Sequence, residues 1–236
     1  MMNKKKILLV GMGSEIGSCL LLLNNPKKDL FFISTVLTNK IDGNNTLENL
    51  KSLQARLILN DPSFINLIKI DEKYSCLIIN GKKIKIFWGD IKNFDLKKIK
   101  QNFEATIVAT SKIHINNKKL MSKYLKISKY VFGVAESKKI PSFYPSLLNI
   151  NSSIIPSKAI KLQNSTNRIF ALGSCQSNGW QAQLRGVLEF FKNKDLKEFK
   201  MIGTELDIVH PDTPQGKLGT KGHMPREQDA RNNLRP

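Results

Sequence analysis

The segment Gly11-Met12-Gly13-Ser14-Glu15-Ile16-Gly17 constrains this chain more than any other, because of what stands on each side of it. Ile7 to Val10 is a short, wholly apolar run, the pattern of a strand buried on both faces. Ser18 to Leu23 reads as an apolar helix that ends near Asn24-Asn25-Pro26, and Leu30 to Leu37 as a second strand. A strand–helix–strand opening of this kind builds a parallel sheet with helices on its faces. Glycines at the strand-to-helix turn permit a tight bend and close approach of a ligand to the backbone. The helix start offers unpaired N–H groups and the positive end of its dipole to an anion. The residues therefore predict a dinucleotide held at Gly11, Gly13, Ser14, Glu15, Ile16 and Gly17. The spacing is one residue longer than the usual G-x-G-x-x-G, and Glu15 brings a carboxylate next to the phosphates.

An acidic residue at the end of the second strand normally binds the adenosine ribose. Here that strand runs out through Ser34, Thr35, Thr38, Asn39 and Lys40, with Asp42 the only acid nearby. Thr35 is the candidate cofactor contact on this strand. Hydroxyl and cationic groups suit a 2′-phosphate, so NAD and NADP both stay open as cofactors.

Further along, Leu47 to Leu59 reads as a helix. Tyr74 to Ile79, Asn80-Gly81 and Lys82 to Phe87 form a β-hairpin with a type I′ turn. Ala105 to Ala109 is a largely apolar strand, Lys118 to Ile127 a helix and Tyr130 to Val134 another strand. A Pro-, Ser- and Asn-rich connection from Glu136 to Asn167 leads to a strand at Arg168 to Leu172. Trp180, Leu184, Val187, Leu188 and Phe191 then fall on one face of a helix starting near Ser177. A strand spans Lys200 to Val209, and polar residues without periodicity follow from His210.

With 236 residues and 41% hydrophobic side chains the chain can bury a substantial core, which excludes disordered and collagen-like classes. The longest apolar stretch, Ile7 to Leu23, is broken by glycines and Glu15, so it reads neither as a membrane span nor as a signal peptide; the sequence predicts a cytoplasmic protein. The net charge of +19 comes from 38 Lys and Arg against 19 Asp and Glu. The lysines are dispersed along a Lys-, Asn- and Ile-rich chain, which is the signature of compositional bias. A nucleic-acid-binding module is the alternative reading from another class.

Cys19, Cys76 and Cys175 have no paired spacing, giving neither a disulfide framework nor a metal site. Cys175 lies between a strand end and a helix start, where N–H groups and the helix dipole favour a thiolate. A lone cysteine is otherwise a small core residue. Of the three histidines, His114, His210 and His223, His210 ends the strand after the helix that Cys175 opens. It is the candidate base.

Several stretches, in order along the chain, resemble the glyceraldehyde-3-phosphate dehydrogenase family. Leu77 to Phe87 resembles the family's hairpin, and Asp90-Ile-Lys-Asn-Phe-Asp-Leu96 the connection after it. Ala105 to Thr110 stands where the family has a strand ending in a cofactor-contacting Ser-Thr-Gly. Ser174-Cys175-Gln176-Ser-Asn178 resembles Ser-Cys-Thr-Thr-Asn, and Val209-His210-Pro-Asp-Thr213 resembles Val-His-x-x-Thr. Gly216-Lys-Leu218 and Asn233-Leu-Arg-Pro236 echo later landmarks. The resemblance implies a Rossmann-type NAD(P)-binding domain over residues 1–173, followed by the first, incomplete part of an α+β catalytic domain over 174–236. It also implies Thr110 on the cofactor, Cys175 as nucleophile and His210 as base. Ser174, Gln176, Asn178 and Thr213 would contact an aldehyde substrate and inorganic phosphate. Relatives are homotetramers acting in glycolysis, and the family's chain continues past the position of Pro236, so a longer polypeptide is expected.

The departures are specific. Glu15 stands for an arginine, Gln176 for a threonine that binds attacking phosphate, and Ser111-Lys112 for a glycine. The glycine loop also resembles that of short-chain reductases, which need a Lys four residues after a catalytic Tyr. Tyr74, Tyr124, Tyr130 and Tyr144 are followed at that spacing by Ile78, Ser128, Val134 and Leu148, and that reading fails.

Overall fold

The structure is a computed structural model that describes residues 4–12, 15–25, 29–40, 45–143 and 167–193. It divides into two compact units, one of residues 1–141 with 168–171, the other of 142–167 with 172–236.

The first unit is α/β. Its sheet has eight strands: β1 (Lys5–Val10), β2 (Phe31–Thr38), β3 (Ile68–Asp71), β4 (Cys76–Ile79), β5 (Lys82–Trp88), β6 (Phe103–Val108), β7 (Ser128–Gly133) and β8 (Ile169–Ala171). They lie in the order β3-β4-β5-β2-β1-β6-β7-β8. From β5 to β8 every neighbouring pair is parallel, while β3/β4 and β4/β5 are antiparallel. The sheet is therefore mixed rather than wholly parallel.

Helices α1 (Glu15–Leu22) and α2 (Thr46–Asn60) supply Leu21, Leu22, Leu50, Leu53 and Leu57 to a core on one face with Ile7, Leu9 and Ile84. On the other face Leu8, Val10 and Leu37 pack with Ile91, Leu96, Ile115, Met121 and Tyr124. That side carries the short helices α3 (Lys112–Ile115) and α4 (Lys118–Ser122) and a 3-10 turn at Lys123–Lys126. Burial on both faces is why Ile7 to Val10 shows no polar alternation.

Local chemistry explains the departures in element bounds. The helix expected over Lys118 to Ile127 is divided between α4 and the 3-10 turn, and Asn117 caps its start by accepting from the Leu120 N–H at 3.0 Å. Helix α1 begins at Glu15 rather than Ser18. In β2 the register with β1 slips by one residue at Ser34, so Ile33 and Val36 both reach the α1/α2 side. The Asn80-Gly81 turn has positive φ at both residues, 50° and 74°, as a type I′ hairpin requires.

In the second unit, α5 (Cys175–Asn193) begins two residues before the expected Ser177. Leu188 on it is buried, while Val187, expected on the same apolar face, is 44% exposed. The strand expected over 200–209 lies outside the described residues.

Candidate functional site

The glycine bend is closely packed. Gly11 has φ of +88°, and its N–H donates to the Leu37 carbonyl at 2.8 Å. A Cβ there would stand 2.5 Å from the Ala109 carbonyl oxygen and 2.6 Å from Thr110 Cγ2. At Gly17 a Cβ would fall 2.4 Å from the Gly11 carbonyl oxygen and 3.1 Å from Met12 Cα. The chain leaving β1 is therefore pressed between the end of β6 and the first turns of α1, and only glycine fits at either contact. Ser18, which the sequence reading had not singled out, locks the bend: its buried hydroxyl donates to the Met12 carbonyl at 3.1 Å. Glu15 opens α1 and Ile16, 45% exposed, follows it, while Gly13 and Ser14 lie outside the described residues.

This bend sits where the sheet order reverses. Strand β1 has β2 on one side and β6 on the other, and the carboxyl ends of strands at such a reversal are the usual ligand position in doubly wound sheets. Thr110, just past β6, borders it. The Thr110 Oγ1 is buried and has no hydrogen-bond partner among the described residues, although its methyl packs at Gly11. A buried hydroxyl without a partner on a residue that packs against the bend fits a ligand that supplies an oxygen.

Thr35, the expected cofactor contact on this strand, is buried. It lies three residues inside β2, 3% exposed, and Thr38 at the strand end is equally buried. What the rim presents is Asn39 and Lys40, which with Gly89 and Asp90 after β5 line a depression of about 360 Å³. Asn39 Oδ1 accepts from the Ile91 N–H at 3.1 Å. The Asp90 carboxylate accepts from the Lys92 N–H at 3.0 Å and from Asn93 Nδ2 at 2.6 Å. Lys123 holds the same loop, donating to the carbonyls of Ile91 at 2.6 Å and Lys92 at 2.9 Å, and its partial burial lowers its pKa.

Two further polar groups are buried without a partner among the described residues, His114 Nε2 and the Tyr124 hydroxyl. Burial, reinforced by Lys123 and Lys92, lowers the His114 pKa from 6.5 to about 4, so the imidazole is neutral at ordinary pH. Burial alone raises that of Tyr124.

In the second unit Cys175 is the first residue of α5, after Gly173 with φ of +72°. Ser174 caps the helix, its hydroxyl accepting from the Ser177 N–H at 3.1 Å. Asn178 Nδ2 donates to the carbonyls of Leu172 and Ser174. Both side chains thus shape the bend that presents position 175. The side chains of Cys175 and Gln176, and the whole of His210 and Thr213, lie outside the described residues.

Among the described residues no three His, Cys, Asp or Glu side chains converge, and no helix is long and apolar enough to cross a membrane. No protein-family model matches the chain, and no curated protein matches it.

Proposed function

We propose that the first unit is a Rossmann-type dinucleotide-binding domain and that the chain is a cysteine-dependent aldehyde dehydrogenase similar to glyceraldehyde-3-phosphate dehydrogenase. The observation that carries the reading is the Gly11–Gly17 bend at the sheet's switch point, with Thr110 packed on it through its methyl and its buried hydroxyl left without a partner among the described residues. The parallel strands β5-β2-β1-β6-β7-β8 also follow the order of doubly wound dinucleotide-binding sheets.

In this reading the Gly11 to Gly17 backbone and the start of α1 hold the pyrophosphate of NAD or NADP, and Thr110 donates to the bound cofactor. The nicotinamide supplies the hydride acceptor. At the start of α5 the helix dipole favours the Cys175 thiolate, which adds to the aldehyde carbon. The Cys175 backbone N–H helps stabilise the oxyanion formed in that addition. His210 would take the hydroxyl proton of the thiohemiacetal as its C–H hydride leaves for the nicotinamide, leaving a thioester on Cys175, and a phosphate oxygen would then bond to the acyl carbon and displace the Cys175 thiolate. A phosphorylated sugar aldehyde is the substrate class, and a homo-oligomer the assembly, that the family resemblance favours.

Thr110→Val tests the cofactor site with two readouts of opposite sign. Losing a buried hydroxyl that has no partner leaves apo stability unchanged or raised by about 1 kcal/mol in urea unfolding. Calorimetric affinity for NADH or NADPH falls by about tenfold. Absence of binding by either nucleotide to the unmodified chain overturns the reading.

A further inference from the structure

Lysines that stand apart in the sequence come together on one face of the antiparallel part of the sheet. Ile68, Leu77, Ile79, Ile84 and Ile86 are buried in the core on the α1/α2 side. Alternation along the strands therefore turns Lys69 and Asp71 of β3, Cys76 and Ile78 of β4, and Lys83 and Lys85 of β5 to the opposite face. The register aligns them in two rows, Lys69–Ile78–Lys83 and Asp71–Cys76–Lys85. The core on this face draws Leu8, Val10 and Leu37 from β1 and β2, and among the described residues nothing from β3 or β4. Lys69, Lys83 and Lys85 are all exposed there. Lys83 Nζ is 2.7 Å from the Asp71 carboxylate and 4.8 Å from the centre of the Tyr74 ring, and Lys73 Nζ is 5.4 Å from that ring. Leu96 and Ile99 lay the next segment on the same face, and Lys97, Lys98 and Lys100 on it are exposed. Gln101 ties that segment to Ser34, the neighbour of Thr35, which pairs with Lys85. From Lys69 to Lys100 the chain carries nine lysines against four acids, so the face is cationic despite Asp71.

We propose that this face binds a single-stranded nucleic acid through its phosphates. Lysines two residues apart on one strand stand about 7 Å apart, and each meets a phosphate as a point charge. Two observations favour nucleic acid over an acidic peptide. A strand added to β3 would need its free edge, where Gln54 Nε2 already occupies the Ile68 carbonyl at 2.8 Å. Between the lysines lie only Ile78 and Cys76, the latter 5% exposed, so a peptide's side chains have little to fill. Phosphates need only the charges. An extended single strand can follow a flat sheet face, which a stiff duplex meets at fewer points.

The net charge of +19 attracts every polyanion, so equal losses of charge are compared at different places. A fluorescein-labelled oligouridylate is titrated by anisotropy, over a range of salt, into the full chain, into Lys69→Gln/Lys83→Gln/Lys85→Gln, and into Lys118→Gln/Lys119→Gln/Lys126→Gln as the control. All six lysines are exposed. The hairpin variant should bind about tenfold or more weaker, and its slope of log K against log salt should be shallower by about 2, from three lost contacts. The control should change less than about threefold. Should the hairpin variant fail to unfold cooperatively in urea, Lys97→Gln/Lys98→Gln/Lys100→Gln takes its place with the same expectation. Equal losses in the face variant and the control, or no loss in the face variant, mark generic attraction and overturn the proposal. Displacement by NADH or NADPH would put the strand in the dinucleotide site and overturns it too. Polyglutamate that competes as well as unlabelled oligouridylate would make the partner an acidic peptide, and no binding by the unmodified chain at physiological salt would leave the face without this role; either result overturns the proposal.

Discussion

A methyl group added at position 17 and one added at position 81 probe two different properties of glycine. Gly17 has ordinary helical backbone, where alanine normally gains stability, but its Cβ would stand 2.4 Å from the Gly11 carbonyl oxygen. Gly81 has open space around it and a φ of +74°. Gly17→Ala should therefore cost about 3 kcal/mol through overpacking, and Gly81→Ala about 1 kcal/mol through backbone strain alone. Urea unfolding of the two variants measures the difference, and a stabilising Gly17→Ala would contradict the packed bend. His114 gives the residue scale a pH dependence. Its pKa is 6.5 when unfolded and about 4 when folded, so the unfolded chain gains the proton first as pH falls. The resulting stability is fully present above pH 6.5 and is lost between there and about pH 4, at most about 3 kcal/mol. His114→Leu should flatten that part of the stability–pH curve, read as the difference from the unmodified chain, and an unchanged slope would place the acid sensitivity elsewhere.

At the scale of elements, β2 depends on a side chain from the turn before it. Asn24 is 6% exposed, donates to the Ile33 carbonyl at 2.9 Å and accepts from the Ile33 N–H at 2.8 Å, serving as a one-residue strand partner. Asn24→Ala leaves both backbone groups unpaired and should cost about 2–4 kcal/mol, with loss of hydrogen-exchange protection at the Ile33 amide. Retained protection would show that another group takes over. This element also marks the limit of what the sequence discloses. The glycine bend and the Asn80-Gly81 hairpin were legible because their geometry is decided by neighbours along the chain. The slip at Ser34 was not, because it breaks the alternation of Phe31–Thr38 and is met by Gln101, whose side chain donates to Ser34 Oγ at 3.1 Å from 67 residues away. The depression at Lys40, Gly89 and Asp90 likewise emerges only when β2 and β5 are paired. The four-residue edge strand β3 carries too few residues to show a period.

For the molecule as a whole, the proposal asks one cysteine of three to behave unlike the others. Cys76 is 5% exposed, its thiol donates to the Tyr74 carbonyl at 3.2 Å, and burial raises its pKa, so it should stay silent toward alkylation in the folded chain. Cys19 is exposed on α1 and supplies an internal reference. Cys175 opens the 19-residue α5 behind a Ser174 cap, the position where a thiolate gains most from the helix start. The decisive measurement is the rate of iodoacetamide modification at each cysteine of the native chain as a function of pH, resolved by peptide mass spectrometry. The account predicts that Cys175 reacts about tenfold or more faster than Cys19 at neutral pH, with a midpoint well below the ordinary thiol value of about 8.5. His210→Asn should move that midpoint upward. A Cys175 that reacts no faster than Cys19 and titrates like an ordinary thiol would contradict the dehydrogenase mechanism.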